Sequence, residues 1–187
     1  MKTFTASEYK LFEQLVGLRQ AALKKVLSNC LKRYYPAVVE TGDYIYCEGT
    51  IPIALVAHMD TVHLKQCREI RNINGKMSSP QGIGGDDRCG IFIIMNIVKE
   101  LHCSVLLCED EEKGGIGARK FTKAIKTIKG DDGKEIEVRY ITDLGVNYMV
   151  EFDRKGSNDA GASLVALLTT FCNNYDTTAL LCTSLRR

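Results

Sequence analysis

His58 and Asp60 stand two residues apart at the end of an apolar run, in ALVAHMDTVH. Asp86 and Asp87 follow a cluster of glycines in QGIGGDDRCG, Glu111 and Glu112 close the acidic end of CSVLLCEDEE, and Asp153 ends VNYMVEFD. Each group taken singly has an ordinary explanation. A histidine near an acid can be hydrogen-bonded for structural reasons. Paired aspartates favour the positive end of a helix dipole. An acidic run is a natural solvated turn, and Asp153 can cap its strand. Brought into one region, however, these carboxylates would repel one another and raise each other's pKa values. A divalent cation removes that conflict. One imidazole with several carboxylates suits zinc, or cobalt or manganese in a more oxygen-rich variant. In that reading the strand carries His58 to the metal, and Asp60 fixes its ring.

The flanking segments must deliver these residues to one place. IPIALVA is apolar at every position except Pro52, the pattern of a strand covered on both faces. CSVLLC and VNYMVEF repeat the arrangement, so three apolar strands end on polar groups. In open α/β sheets ligands gather at the carboxyl ends of strands, which predicts convergence there. IFIIMNIVKELH reads as a buried helix, and GARKFTKAI as a short one. Residues 7–31 carry apolar side chains at helical spacing, one amphipathic helix. GDYIYCEG alternates as a half-buried strand, Asn74-Gly75 signals a hairpin turn, and KGDDGKE is a turn. The expected fold class is α/β, a central mixed sheet flanked by helices.

Composition narrows the classes of function. With 187 residues and 45% apolar residues, the chain can bury one sizeable core. A net charge of +2, with both signs mixed along the chain, gives no general attraction to nucleic acid or anionic membrane. The eight cysteines form no C-x-x-C pair and several sit in apolar runs, so they read as reduced core thiols. The first residues, MKTFTASEYKLFEQL, lack the apolar core of a secretory signal, and no apolar run reaches the ~20 residues of a membrane span. A soluble, cytoplasmic protein is expected.

VAHMDTV, GIGGDDRCG and EEKGGIGA resemble, in that order, the signature segments of the co-catalytic zinc exopeptidases, the clan that includes peptidase T, carboxypeptidase-like aminoacylases and tetrahedral aminopeptidases. With EFDRKGSND the resemblance runs over residues 53–159. It implies a zinc-exopeptidase-like fold with up to two zinc ions. His58, Asp86, Glu112 and Asp153 would be the metal ligands, Asp86 bridging two metals and followed by Asp87 across a cis peptide. Asp60 would orient His58, and Glu111 would be the general base. The implied activity is removal of the N-terminal residue of short peptides, with water activated at the metal.

The family pattern also needs a histidine far downstream, and the histidines here are His58, His63 and His102, none of them after Asp153. His63 follows the H-x-D segment too closely, and His102 ends the buried helix. In residues 161–187 only Asp176, Arg186 and Arg187 are charged, an abrupt change of composition. The expected organisation is a catalytic metallopeptidase-like domain over 1–160, an atypical tail over 161–187, no lid or dimerisation domain, and a truncated C-terminus. The second metal is then short of a ligand, and the apolar LVALLTTF favours self-association. Two other readings stay open, a deacylase or amidase of the same clan and a non-catalytic metal-binding fragment.

Overall fold

The computed structural model describes residues 5–73, 76–130, 132–139 and 145–153, with the backbone of 163–167. Two helices lead the chain, α1 (Ala6–Gly17) and α2 (Gln20–Leu31). The strands β1 (Val39–Glu40), β2 (Tyr44–Cys47) and β3 (Ile51–His58) follow, then a hairpin of β4 (Arg71–Ile73) and β5 (Lys76–Ser78). Next come α3 (Gly85–Ile97), β6 (Cys103–Cys108), α4 (Ile116–Lys123) and a second hairpin, β7 (Ile125–Lys129) with β8 (Glu135–Arg139). β9 (Tyr148–Asp153) and β10 (Ser163–Leu167) complete the order.

The main sheet runs β1-β2-β6-β3-β9-β10. Its centre is parallel, because β3 pairs with β6 on one side and with β9 on the other in the same direction. β2 on β6 and β10 on β9 are antiparallel, which makes the sheet mixed. Alternation along the central strands divides the core. Leu55 and Ala57 of β3, with Val105 and Leu107 of β6, face a cluster built from α1, α2 and α3. Ala54 and Val56, with Leu106 and Cys108, face the opposite cluster, which Phe121 of α4 closes against Tyr44 and Tyr46. Helices therefore cover both faces, as the unbroken apolar pattern of β3 requires. The α/β class and the flanked mixed sheet expected from the sequence are what the structure has.

Some local readings differ. Residues 7–31 form two helices rather than one, with Leu18 and Arg19 in extended conformation between them. Apolar spacing continues through the break, so periodicity cannot register it, while Gly17 is a weak helix former at the end of α1. Tyr44 to Cys47 are all buried, not half-buried, because α4 covers the second face of β2. The turn expected at KGDDGKE is present and joins β7 to β8, whose residues are exposed or half-buried. The β4–β5 hairpin is present, with its turn at 74–75 outside the described residues.

Most of residues 161–187 also lie outside the described residues. The backbone of Ser163–Leu167 within them pairs with β9 at the sheet edge. Cys47, Cys67, Cys103 and Cys108 are buried thiols and Cys30 is half-buried, none of them in a disulfide. Among the described residues no helix is long and apolar enough to cross a membrane.

Candidate metal centre

The parallel centre of the sheet brings the carboxyl ends of β3, β6 and β9 side by side. His58, the last residue of β3, is in register with Cys108, the last residue of β6, so the acidic segment 109–112 leaves the sheet beside the histidine. On the other side Val56 pairs with Glu151. Two residues further along both strands, Asp153 reaches the level of His58 in the backbone register; its side chain lies outside the described residues.

His58 is almost fully buried. Its Nε2 lies 3.2 Å from Asp86 Oδ1, and its Nδ1 lies 3.3 Å from Asp60 Oδ1, in ionic reach but off the axis of a well-formed hydrogen bond. Asp60, also buried, accepts from the backbone N–H groups of Glu111 and Glu112, at 3.0 Å each. One carboxylate thus holds the imidazole on one side and the acidic loop on the other. Within that loop the four acids separate. Glu109 pairs with Lys24 at 3.1 Å and Asp110 with Lys113 at 2.8 Å. Glu112 turns to the centre, where one ligand atom each from His58, Asp86 and Glu112 all lie within 4.8 Å of one another.

The glycine-rich loop positions Asp86. Gly84 takes a left-handed φ of 63° ahead of α3, a conformation that favours glycine. Asp86 (φ −90°, ψ 109°) and Asp87 (φ −111°, ψ 40°) are non-helical, and the peptide between them is cis. Asp87 turns inward. Its Oδ2 accepts from the backbone N–H of His58 at 3.3 Å and its Oδ1 from Gly90 N–H at 2.9 Å. Gly90 permits this close packing, since a Cβ there would stand 2.3 Å from the Asp87 carboxylate and 2.4 Å from the Phe152 carbonyl. The bracing role of Asp87 was not read from the sequence, although the D-x-x-G spacing carried its signal: a carboxylate three residues before a glycine whose N–H it caps.

The electrostatics follow from this crowding. Burial by itself lowers the His58 pKa, but the contact with Asp60 and the charges of Asp87, Asp60 and Asp86 outweigh it and hold the pKa up at about 9. For Asp60 burial acts upward and is outweighed by the His58 contact and by the two backbone N–H donors, so its pKa falls below the usual carboxylate range. The negative potential that favours an imidazolium also favours a divalent cation.

The donor set fits such an ion. Tetrahedral zinc with bonds of ~2.0–2.1 Å places its donor atoms about 3.3 Å apart, close to the His58–Asp86 separation of 3.2 Å. Asp86 and Glu112 are exposed and His58 is buried, so the set is open on the solvent side. The other histidines have separate surroundings. His102 accepts from Thr50 N–H at 3.1 Å, lies 3.2 Å from the Tyr34 carbonyl and stacks on Tyr35, a packing role. His63 lies against Gly82 and is not one of the three grouped residues.

In fold, the chain is similar to an aminopeptidase. The likeness is to the crystal structure of aminopeptidase PepT from Bacillus cereus ATCC 10987, with a TM-score of 0.55 and 20% sequence identity. It covers 80% of this chain and 43% of that enzyme's, so the chain spans less than half the length of the protein it matches. No protein-family model matches the chain, and no curated protein matches it in sequence.

Proposed function

We propose that the chain carries the metal-binding core of a metal-dependent exopeptidase that removes the N-terminal residue of short peptides. The observation that supports this most is the convergence of His58, Asp86 and Glu112 beside an Asp60 that holds both the imidazole and the Glu111–Glu112 backbone. His58, Asp86 and Glu112, with Asp153 at the end of β9, would hold zinc, or cobalt or manganese. A bound cation supplies Lewis acidity, polarising an amide carbonyl and making water at the site more acidic.

The chain's own residues supply the rest. Glu111 is the general base, taking a proton from the attacking water on its carboxylate and passing it to the departing amine. The hydrogen bond from its backbone to Asp60 ties that base to the same carboxylate that sets the His58 ring, so base and ligand keep a fixed relation. Asp87 holds the end of β3 through the His58 N–H and keeps the ligand strand in register with the glycine-rich loop. Exposure of Asp86 and Glu112 leaves access for a peptide.

The test is hydrolysis of a panel of di- and tripeptides by the full chain, with and without added zinc, cobalt or manganese. Metal-dependent release of the N-terminal residue, reduced about 10²–10⁴-fold in Glu111→Gln, is expected. Hydrolysis of N-acylated amino acids with none of free peptides would redirect the reading to a deacylase. No hydrolysis with any metal would leave a metal-binding domain.

A further inference from the structure

A cavity of about 300 Å³ opens between the α1–α2 junction, the loop after β3 and the glycine-rich loop before α3. Arg19, Lys65 and Arg88 line it together with His63, and among the described residues no Asp or Glu does. Arg88 is only 2% exposed. Its Nη1 donates to the Leu15 carbonyl at 3.0 Å, while its Nε has no hydrogen-bond partner. A buried guanidinium with an unused donor is costly unless an acceptor meets it. Arg19 and Gln20 are the N-cap and first residue of α2, whose N-terminus has no side-chain cap and no acid in its first turn. Its N–H groups and dipole end add positive potential at the cavity wall. Gln66 Nε2 donates to the Gly17 carbonyl at 2.5 Å, pinning the loop after β3 to the end of α1.

The His63 ring lies close against Gly82, where a Cβ would stand 2.4 Å from it. Thr61, beside Asp60, and Gly84, two residues before Asp86, are also in the lining, so the cavity adjoins the metal centre without sharing its ligands.

We infer that this cavity binds a small oxyanion, a carboxylate or phosphate group, through Arg88, Arg19, Lys65 and the N-terminus of α2. Planar guanidinium donors and open helix N–H groups match the acceptor geometry of both. The inference does not depend on the hydrolytic reading, because the metal ligands take no part in it.

The experiment is titration of the full chain, freed of metal on a chelating resin, with inorganic phosphate at constant ionic strength, read by calorimetry. One saturable equivalent is expected, weakened about tenfold or more for each cation removed in the exposed variants Arg19→Ala and Lys65→Ala. Absence of saturation, or equal affinity in the double variant, would overturn the inference. Glycylglycine and glycylglycine amide are then used as competitors. Displacement of phosphate by the acid but not the amide assigns the cavity to a peptide carboxylate, and displacement by neither assigns it to free phosphate. Equal displacement by acid and amide would overturn the inference, since the recognised feature would not be charge.

Discussion

The backbone N–H of Glu112 donates to Asp60 Oδ2 at 3.0 Å, joining the end of β3 to the acidic loop after β6. Since the other oxygen of Asp60 serves Glu111 N–H and faces the His58 ring, this side chain sets the spacing between His58 and Glu112, the proposed ligands, and Glu111, the proposed base. Asp60→Asn replaces an acceptor oxygen by an amide donor that cannot satisfy both N–H groups. Zinc affinity should fall by about 10–100-fold and stability by about 1–3 kcal/mol, read by calorimetry and urea unfolding. Unchanged values in both would remove Asp60 from the centre.

Gly90→Ala should be far more damaging than a methyl group on a surface helix. The added Cβ would stand 2.3 Å from the Asp87 carboxylate and 2.4 Å from a carbonyl of β9, so α3 must move or Asp87 must release His58. Overpacking of this kind costs about 1–3 kcal/mol, and metal affinity should fall with it. A variant as stable as the parent would show that α3 does not sit this close to β9.

Alkaline pH should destabilise the fold through the buried thiol of Cys47. Burial raises its pKa from 9.0 to about 12. A thiol held neutral in the fold but free to ionise near 9 when unfolded contributes its stability fully below that pH and loses it as pH rises toward 12. The urea midpoint should therefore fall between pH 8.5 and pH 11 more steeply in the parent than in Cys47→Val. Parallel slopes would show that this thiol is not held neutral.

Sequence legibility followed the range of the interactions. β3 and β6 could be read because a strand buried on both faces is apolar along its length, and β9 because its apolar residues likewise end on an acid; their parallel adjacency follows from where their polar ends must meet. The break after Gly17 could not be read, because both helices bury their apolar side chains in the same cluster and the pattern runs on across them. β7 and β8 are short and bury little at the periphery, so the alternation of Ile136 and Val138 with charged residues is a weak signal on its own. Within the site, residue types marked Asp60, the Asp86-Asp87 pair and the acidic run, while Asp86 and Glu112 were singled out by the resemblance to the exopeptidase signatures; the division of the run did not show in the residue types. Lys24, far away in the chain, pairs with Glu109, and a local turn pairs Asp110 with Lys113. Arg88 is a similar case, since its surroundings come from α1 and the loop after β3.

The central claim is a metal centre whose ligands and base have separate roles, and zinc titration of four proteins tests it most directly. The parent should bind at least one tight equivalent, and Glu111→Gln should bind it with nearly the same affinity. His58→Ala and Asp86→Asn should each lose more than the about 100-fold that an outer partner costs. Equal zinc affinity in the parent, His58→Ala and Asp86→Asn would contradict the account.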